Sequence, residues 1–452
     1  MQRLTFTGLG FVFTGLIFGF IYFSESKILL TLIAVFFGVT LYRRLEYSFY
    51  VIAFLTPLLV RAPELLGTSN FSIAELIVLV VLAAWMFKKG LTGDVSWKHT
   101  PLDLPLLVFF SFTLLSAIAP ISRFMFPVYY FESFSQLYPA KVLINTFEAM
   151  MLYFFVANNF DKKYLKGVVT ALVAGLVAAS IVGLIQYTYF ISGFPMDRWF
   201  KEYDPVTVTS TLNNKNFFGM YLILLIPLTY YLTSYYKGSA KTLPAIAATL
   251  ATLALIVSHS RGALIGLIST MVLVSAVKKK RFFLYGVLAL IIIGSTILGT
   301  PQFRETSFAG RFIDMGKDVD GRIDCFNRSF ATALQNPLGI GAGTFREKRI
   351  CSYGDKWWSF TFHHAHNLYL QILVERGWLA LGAFLYLLLA YFWKVMATKY
   401  ADAYTRKVVW GLSIGILAVL IHGLVDYPFY SQRIALLFFF VMGVVAALLG
   451  DR

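Results

Sequence analysis

Two stretches decide the fold class, LIVLVVLAAWMF at 76–87 and LYGVLALIII at 284–293. Neither contains a charged or amide side chain. The strands of a membrane barrel would alternate apolar and polar residues along about ten positions, and these runs do not alternate. In lipid only helices and closed barrels satisfy every backbone polar group, so unbroken apolar runs read as helices that cross a bilayer.

The rest of the chain agrees. Of 452 residues, 58% are hydrophobic and 14% charged, where a soluble chain carries about 25% charged residues. A soluble globular enzyme is excluded. An aromatic share of 17% excludes a disordered chain as well. A span needs about 20 mostly apolar residues. Such runs fall near 5–23, 28–42, 46–61, 72–87, 103–119, 140–157, 165–192, 216–236, 243–258, 262–277, 282–299, 368–393, 408–424 and 432–449. The expected fold is an all-α polytopic integral membrane protein with about 12–14 transmembrane helices. It divides into an N-terminal bundle over 1–299, a large, partly helical loop over 300–366 and C-terminal transmembrane helices over 367–452. The N-terminal segment is basic, then apolar, and lacks a small-x-small cleavage site, so it reads as a retained first span.

Net charge is +16, but most of the basic residues sit in short breaks between apolar runs. The positive-inside rule therefore accounts for much of the excess, and nucleic acid is not an expected partner. Alternate breaks place 20 of the 39 Lys and Arg residues on one side and 10 on the other outside the long loop. Both termini are expected in the cytoplasm and the loop 300–366 in the periplasm. Both cysteines, Cys325 and Cys351, lie in that loop; on an oxidising side they either pair or stay as two free thiols.

Ionisable groups at membrane depth are functional candidates by default. Three of the six histidines, His363, His364 and His366, stand where the loop re-enters the membrane. A helix N-terminus disfavours imidazolium, and a neutral imidazole there is able to accept a proton. The alternative is a histidine that merely caps the helix. A metal is not expected, because no carboxylate or cysteine lies at firm ligand spacing and Asp318-Val319-Asp320 reads as a solvated turn. Arg261, in the turn SHSRG, offers a fork for phosphate oxygens, with Gly262 allowing close approach; otherwise it is a snorkelling helix end. Lys215 among Asn213, Asn214 and Asn216, with Arg198 and Lys201 nearby, and Arg322 in the loop add cations on the same side. Such a face suits an amphiphilic anion such as a lipid-linked diphosphate. No nucleotide-binding module is present in the sequence, so the energy for a reaction would reside in the substrate.

The blocks LNNKNFFG (212–219), SRGALIGL (260–267), GRIDCFNRSFATA (321–333), NPLGIGAGTF (336–345) and HAHNLYLQILVERGWLAL (364–381) resemble the O-antigen ligase/polymerase superfamily of bacterial envelope enzymes. The resemblance covers roughly residues 210–430. It implies a glycosyltransferase without cofactor or metal, multi-pass in the inner membrane, that takes a glycan from undecaprenyl diphosphate at the periplasmic face. In the ligase branch the acceptor is lipid A–core. The family's histidine, separated by ten residues from a glycine, matches His366 and Gly377; its Arg-x-x-x-Leu is approximated by Arg261 and Ile265.

The roles that follow are expectations. Arg261, Lys215 and Arg322 hold the diphosphate. His366 is the general base, and Asp426 in HGLVDYPFY either orients it or is a rival base. His364, Asn367 and Asn216 surround these groups. Rival readings share the donor and differ in acceptor, namely an O-antigen polymerase and a protein O-oligosaccharyltransferase. A lipid-linked glycan transporter is the non-enzyme alternative, and it would be expected to show paired discontinuous spans.

Overall fold

The computed structural model describes residues 5–7, 9–10, 12–14, 17, 27–58, 72–125, 138–192, 208–278, 315–354, 359–400 and 402–450. The architecture is all-α and polytopic. The helices are α1 (Lys27–Arg43), α2 (Tyr47–Leu55), α3 (Ile73–Thr92), α4 (Asp103–Met125), α5 (Tyr138–Asn159), α6 (Leu165–Ser192) and α7 (Lys215–Tyr235). They continue with α8 (Thr242–Val257), α9 (Arg261–Lys278), α10 (Met315–Gln335), α11 (Leu368–Ala397), α12 (Ala403–His422) and α13 (Gln432–Gly450). Among the described residues, seven helices are long and apolar enough to cross a membrane, including α7, α11 and α12. Shorter apolar helices cover Thr31–Arg43, Asp103–Ile118 and Arg261–Val274. The expected span at 282–299 lies outside the described residues, as do Arg198 and Lys201 and much of 5–23.

Where a helix starts, a side chain satisfies its orphan N–H groups. Ser72 and Glu75 form a reciprocal capping box on α3. Asn214 caps α7, its Oδ1 accepting from Asn216 N at 2.8 Å. Asn367 caps α11 by accepting from Tyr369 N at 2.9 Å and Leu370 N at 3.0 Å. Between α7 and α12 the packing is through glycine: a Cβ at Gly411 would stand 2.7 Å from Leu228 Cα. Lipid offers no hydrophobic drive between helices, so this close backbone approach is what gives the contact its attraction.

The described part of the stretch 300–366, residues 315–354 and 359–366, forms a small module with its own core. Cys325 and Cys351 are disulfide-bonded, with Cα atoms 5.2 Å apart. Around them pack Ala333, Ile340, Phe345, Ala365 and, from α11, Leu373 and Val374. The module's core therefore extends past residue 366 into the first turns of α11. A two-stranded antiparallel hairpin, β1 (Ser352–Gly354) with β2 (Ser359–Thr361), adds the only strand pairing among the described residues.

The glycine-rich turn docks where α11 is broken. Gly377 has φ 84°, ψ 177° inside the helix. Ile340 N donates to Val374 O (2.8 Å), Gly341 N to Glu375 O (3.1 Å) and Trp378 N to Pro337 O (3.0 Å). A Cβ at Gly377 would come within 2.5 Å of Pro337 O, and one at Gly339 would collide with Glu375 O. Both glycines are thus required by mutual backbone approach, and the positive φ of each adds a second reason.

Candidate functional site

The helices α7, α9 and α11 begin at one end of the bundle, and the turn between α12 and α13 closes over them. Asp426, in that turn, is 3% exposed. Its Oδ2 accepts from Asn216 Nδ2 at 2.7 Å, and its Oδ1 accepts from its neighbour Tyr427 N at 2.8 Å. Asn216 Oδ1 in turn accepts from Ser260 Oγ at 3.1 Å. His366 Nδ1 lies 3.5 Å from Asp426 Oδ1, an ion-pair distance longer than a strong hydrogen bond. One carboxylate thus ties together segments that are far apart in the chain.

His366 is held in an unusual backbone conformation, φ 48°. Its N–H donates to His364 Nδ1 at 3.2 Å, and the preceding Ala365 N–H donates to Gln371 Oε1 at 2.7 Å. The His364 ring packs 4.2 Å from His366 and 4.8 Å from Tyr430, centroid to centroid. Asn367 is committed to structure: besides capping α11, its Nδ2 donates to Leu424 O at 2.9 Å.

The expected cations flank this network. Lys215 and Arg261 open α7 and α9, each one residue from a network member, and both are half-buried. Arg322, from α10, donates through Nη1 to Val425 O at 3.0 Å, beside Asp426. Gly262 serves helix packing: a Cβ there would stand 2.6 Å from His422 Nε2. The buried His422, next to Asp426, was not singled out from the sequence. Its signal was the HGLVD block, where it precedes Asp426 by one helical turn.

Burial disfavours ionisation of Asp426, but its contacts among the neighbouring histidines, that with His366 foremost, lower its carboxyl pKa. Its carboxyl therefore lies well below the usual range and is ionised at pH 7. Burial, reinforced by His366, holds the His364 imidazole down to about 3. An unfolded chain protonates this ring below about pH 6.5 and the folded protein does not. Stability therefore falls as pH drops from 6.5 toward 3, by up to about 1.4 kcal/mol per pH unit. We expect the melting temperature of detergent-solubilised protein to fall between pH 7 and pH 5. In His364→Gln that fall should be shallower, and an unchanged slope would show that His364 is not the proton-linked group.

The carboxylate that local spacing lacked is supplied by Asp426. His364, His366 and Asp426 bring ligand-type atoms within 4.8 Å of one another, the one such grouping among the described residues. These three side chains have donor types that a divalent ion accepts. A histidine beside a carboxylate also has the chemistry to move a proton without a metal.

Of the expected site residues, the structure thus brings His366, Asp426, His364 and Asn216 into direct contact. Arg261, Lys215 and Arg322 stand beside them. The side chains of Asp318 and Asp320 lie outside the described residues. Comparison with curated proteins returns no match. The model of the O-Antigen ligase family matches residues 246–387, the stretch that carries Arg261, Arg322 and His366. With the polytopic helical fold, this match supports the chain's membership of the O-antigen ligase/polymerase superfamily, a group of membrane enzymes of glycosyltransferase type.

Proposed function

We propose that the protein is an O-antigen ligase that moves a glycan from undecaprenyl diphosphate to lipid A–core at the periplasmic face of the inner membrane. The observation that carries this reading is the His366–Asp426–Asn216–Ser260 network, with Arg261, Lys215 and Arg322 at its rim. Three helix N-termini meet there, and the positive ends of their dipoles favour an anion such as a diphosphate.

In the proposed reaction the cations hold the diphosphate and stabilise the charge that grows on it as the anomeric C–O bond breaks. The acceptor hydroxyl oxygen attacks the opposite face of the anomeric carbon, and its proton passes to His366. One displacement inverts the anomeric centre and releases undecaprenyl diphosphate. Asp426 faces Nδ1, which leaves Nε2 for the acceptor, and it stabilises the imidazolium that forms. The His366 side chain is 18% exposed and that of Asp426 5%, so the histidine is the one a substrate reaches. This favours Asp426 as orienter over Asp426 as base.

Purified protein should be incubated with lipid-linked glycan and, in separate reactions, lipid A–core, a second lipid-linked glycan and an acceptor protein. The ligase reading expects product with lipid A–core alone. Chain elongation on the lipid carrier would make the protein a polymerase, and a glycosylated polypeptide a protein O-oligosaccharyltransferase. A chelator such as EDTA should leave turnover unchanged, and loss of activity restored by a divalent ion would assign the His364–His366–Asp426 group to a metal.

The proposed orientation has its own check. Lys237 and Glu347 are both exposed, and cysteines introduced singly at these positions should label from opposite sides of sealed vesicles. Labelling of both from one side would overturn the orientation.

A further inference from the structure

Glu375 sits beside the break in α11 and is buried, as is Gln371 one turn earlier. Its carboxylate accepts Phe345 N–H from the glycine-rich loop at 3.2 Å. It also accepts from Gly343 N–H and from the side-chain amide of Gln371. A carboxylate only accepts, so Gln371 must present its Nε2 to Glu375. That choice turns Gln371 Oε1 the other way, where it accepts Ala365 N–H at 2.7 Å. Ala365 is itself fully buried and immediately precedes His366 with its φ of 48°. Without Glu375 the Nε2 end of Gln371 would lose its acceptor, and the bond from the buried Ala365 N–H would be left to hold the amide by itself.

We propose that Glu375 is a positioning residue for His366. Through Gln371 it locks the Ala365 amide and hence the left-handed turn that aims the imidazole, and it ties that aim to the docked glycine-rich loop. The proposal rests on the reading of His366 as the base. It also gives the ERG segment a task beyond supplying the helix break at Gly377.

The test uses the full-length protein. Glu375→Ala should lower kcat about 10²-fold, the scale of a misplacement near 1 Å. Donor KM should stay within about twofold, because the cations that hold the diphosphate are untouched. Hydrogen exchange at the Ala365 amide should quicken about tenfold or more, while α12 keeps its protection. Glu375→Gln keeps an acceptor oxygen for Gln371 Nε2 and should regain most of the lost kcat. Gln371→Leu leaves the bonds from Glu375 to the loop in place and should reproduce the slow turnover and fast exchange, even where Glu375→Ala does not fold.

A folded Glu375→Ala or Gln371→Leu protein with wild-type kcat overturns the proposal. So does one whose kcat falls while exchange at Ala365 is unchanged. Failure of the base reading would look different: His366→Ala would keep its turnover, and exchange at Ala365 would still respond to Glu375.

Discussion

His366→Ala should abolish glycan transfer while leaving donor affinity nearly unchanged. General bases typically contribute about 10²–10⁴ in rate, and this one acts only when the acceptor attacks. In the proposed mechanism donor binding depends on cations at the starts of α7 and α9 and on α10, none of which the substitution touches. The fold should survive, because the turn at 364–367 is held by Gln371 Oε1 on Ala365 N and by the Asn367 cap rather than by the His366 ring. Equal folding can be checked by melting temperature. Near-normal turnover in folded His366→Ala would remove the base assignment and make Asp426 the first residue to test. Asp426→Asn separates its roles: an amide still accepts from Asn216 but cannot stabilise an imidazolium. We expect that variant to lose rate while keeping donor affinity.

Arg261→Ala should weaken both donor binding and rate, because charge on the diphosphate is present before the reaction and grows as the C–O bond breaks. Removing one preorganised donor from a developing anion commonly costs about 10²–10³ in turnover. Arg261→Lys should restore only part, since one ammonium does not reproduce the planar fork of a guanidinium. Arg261 opens α9 directly after Ser260, whose hydroxyl joins the Asn216–Asp426 pair. A structural role would therefore show as lost stability in the alanine variant. The measurement that decides is donor Kd against kcat for alanine and lysine variants of matched melting temperature. Full rescue by lysine would mean that only a point charge is needed.

The membrane fold was legible in the sequence because hydropathy is a local quantity. A run such as 76–87 has one physical option in lipid, and composition names it without reference to any distant residue. Helix starts were legible for the same reason. Asn214 and Asn367 cap by reaching two or three residues onward, so the asparagines at the starts of α7 and α11 carry their own structural explanation. Asn367, expected near the reacting groups, proves to be committed to that local task and to Leu424 O.

The makeup of the site was legible only as a list of residue types. His366, Arg261, Lys215 and Arg322 stand out because charges at membrane depth are expensive, but their expense says nothing about which of them meet. Tertiary structure made Asp426 the carboxylate of the histidine cluster, through a contact that spans α11 and α12, and gave it Asn216 from the other half of the chain. It also assigned Gly262 to the approach of α12 instead of a ligand, and joined Gly339 to Gly377 across the break in α11. Glu375 stood out only as an ionisable residue on an apolar helix and Gln371 not at all, because a buried carboxylate there acquires its task only from the backbone N–H groups that another segment brings to it. The sequence by itself determined the solvent of the fold, its helices and their caps, each governed by neighbours within a few residues. The tertiary structure decided the pairings, because a hydrogen bond depends on position in space and not on separation along the chain.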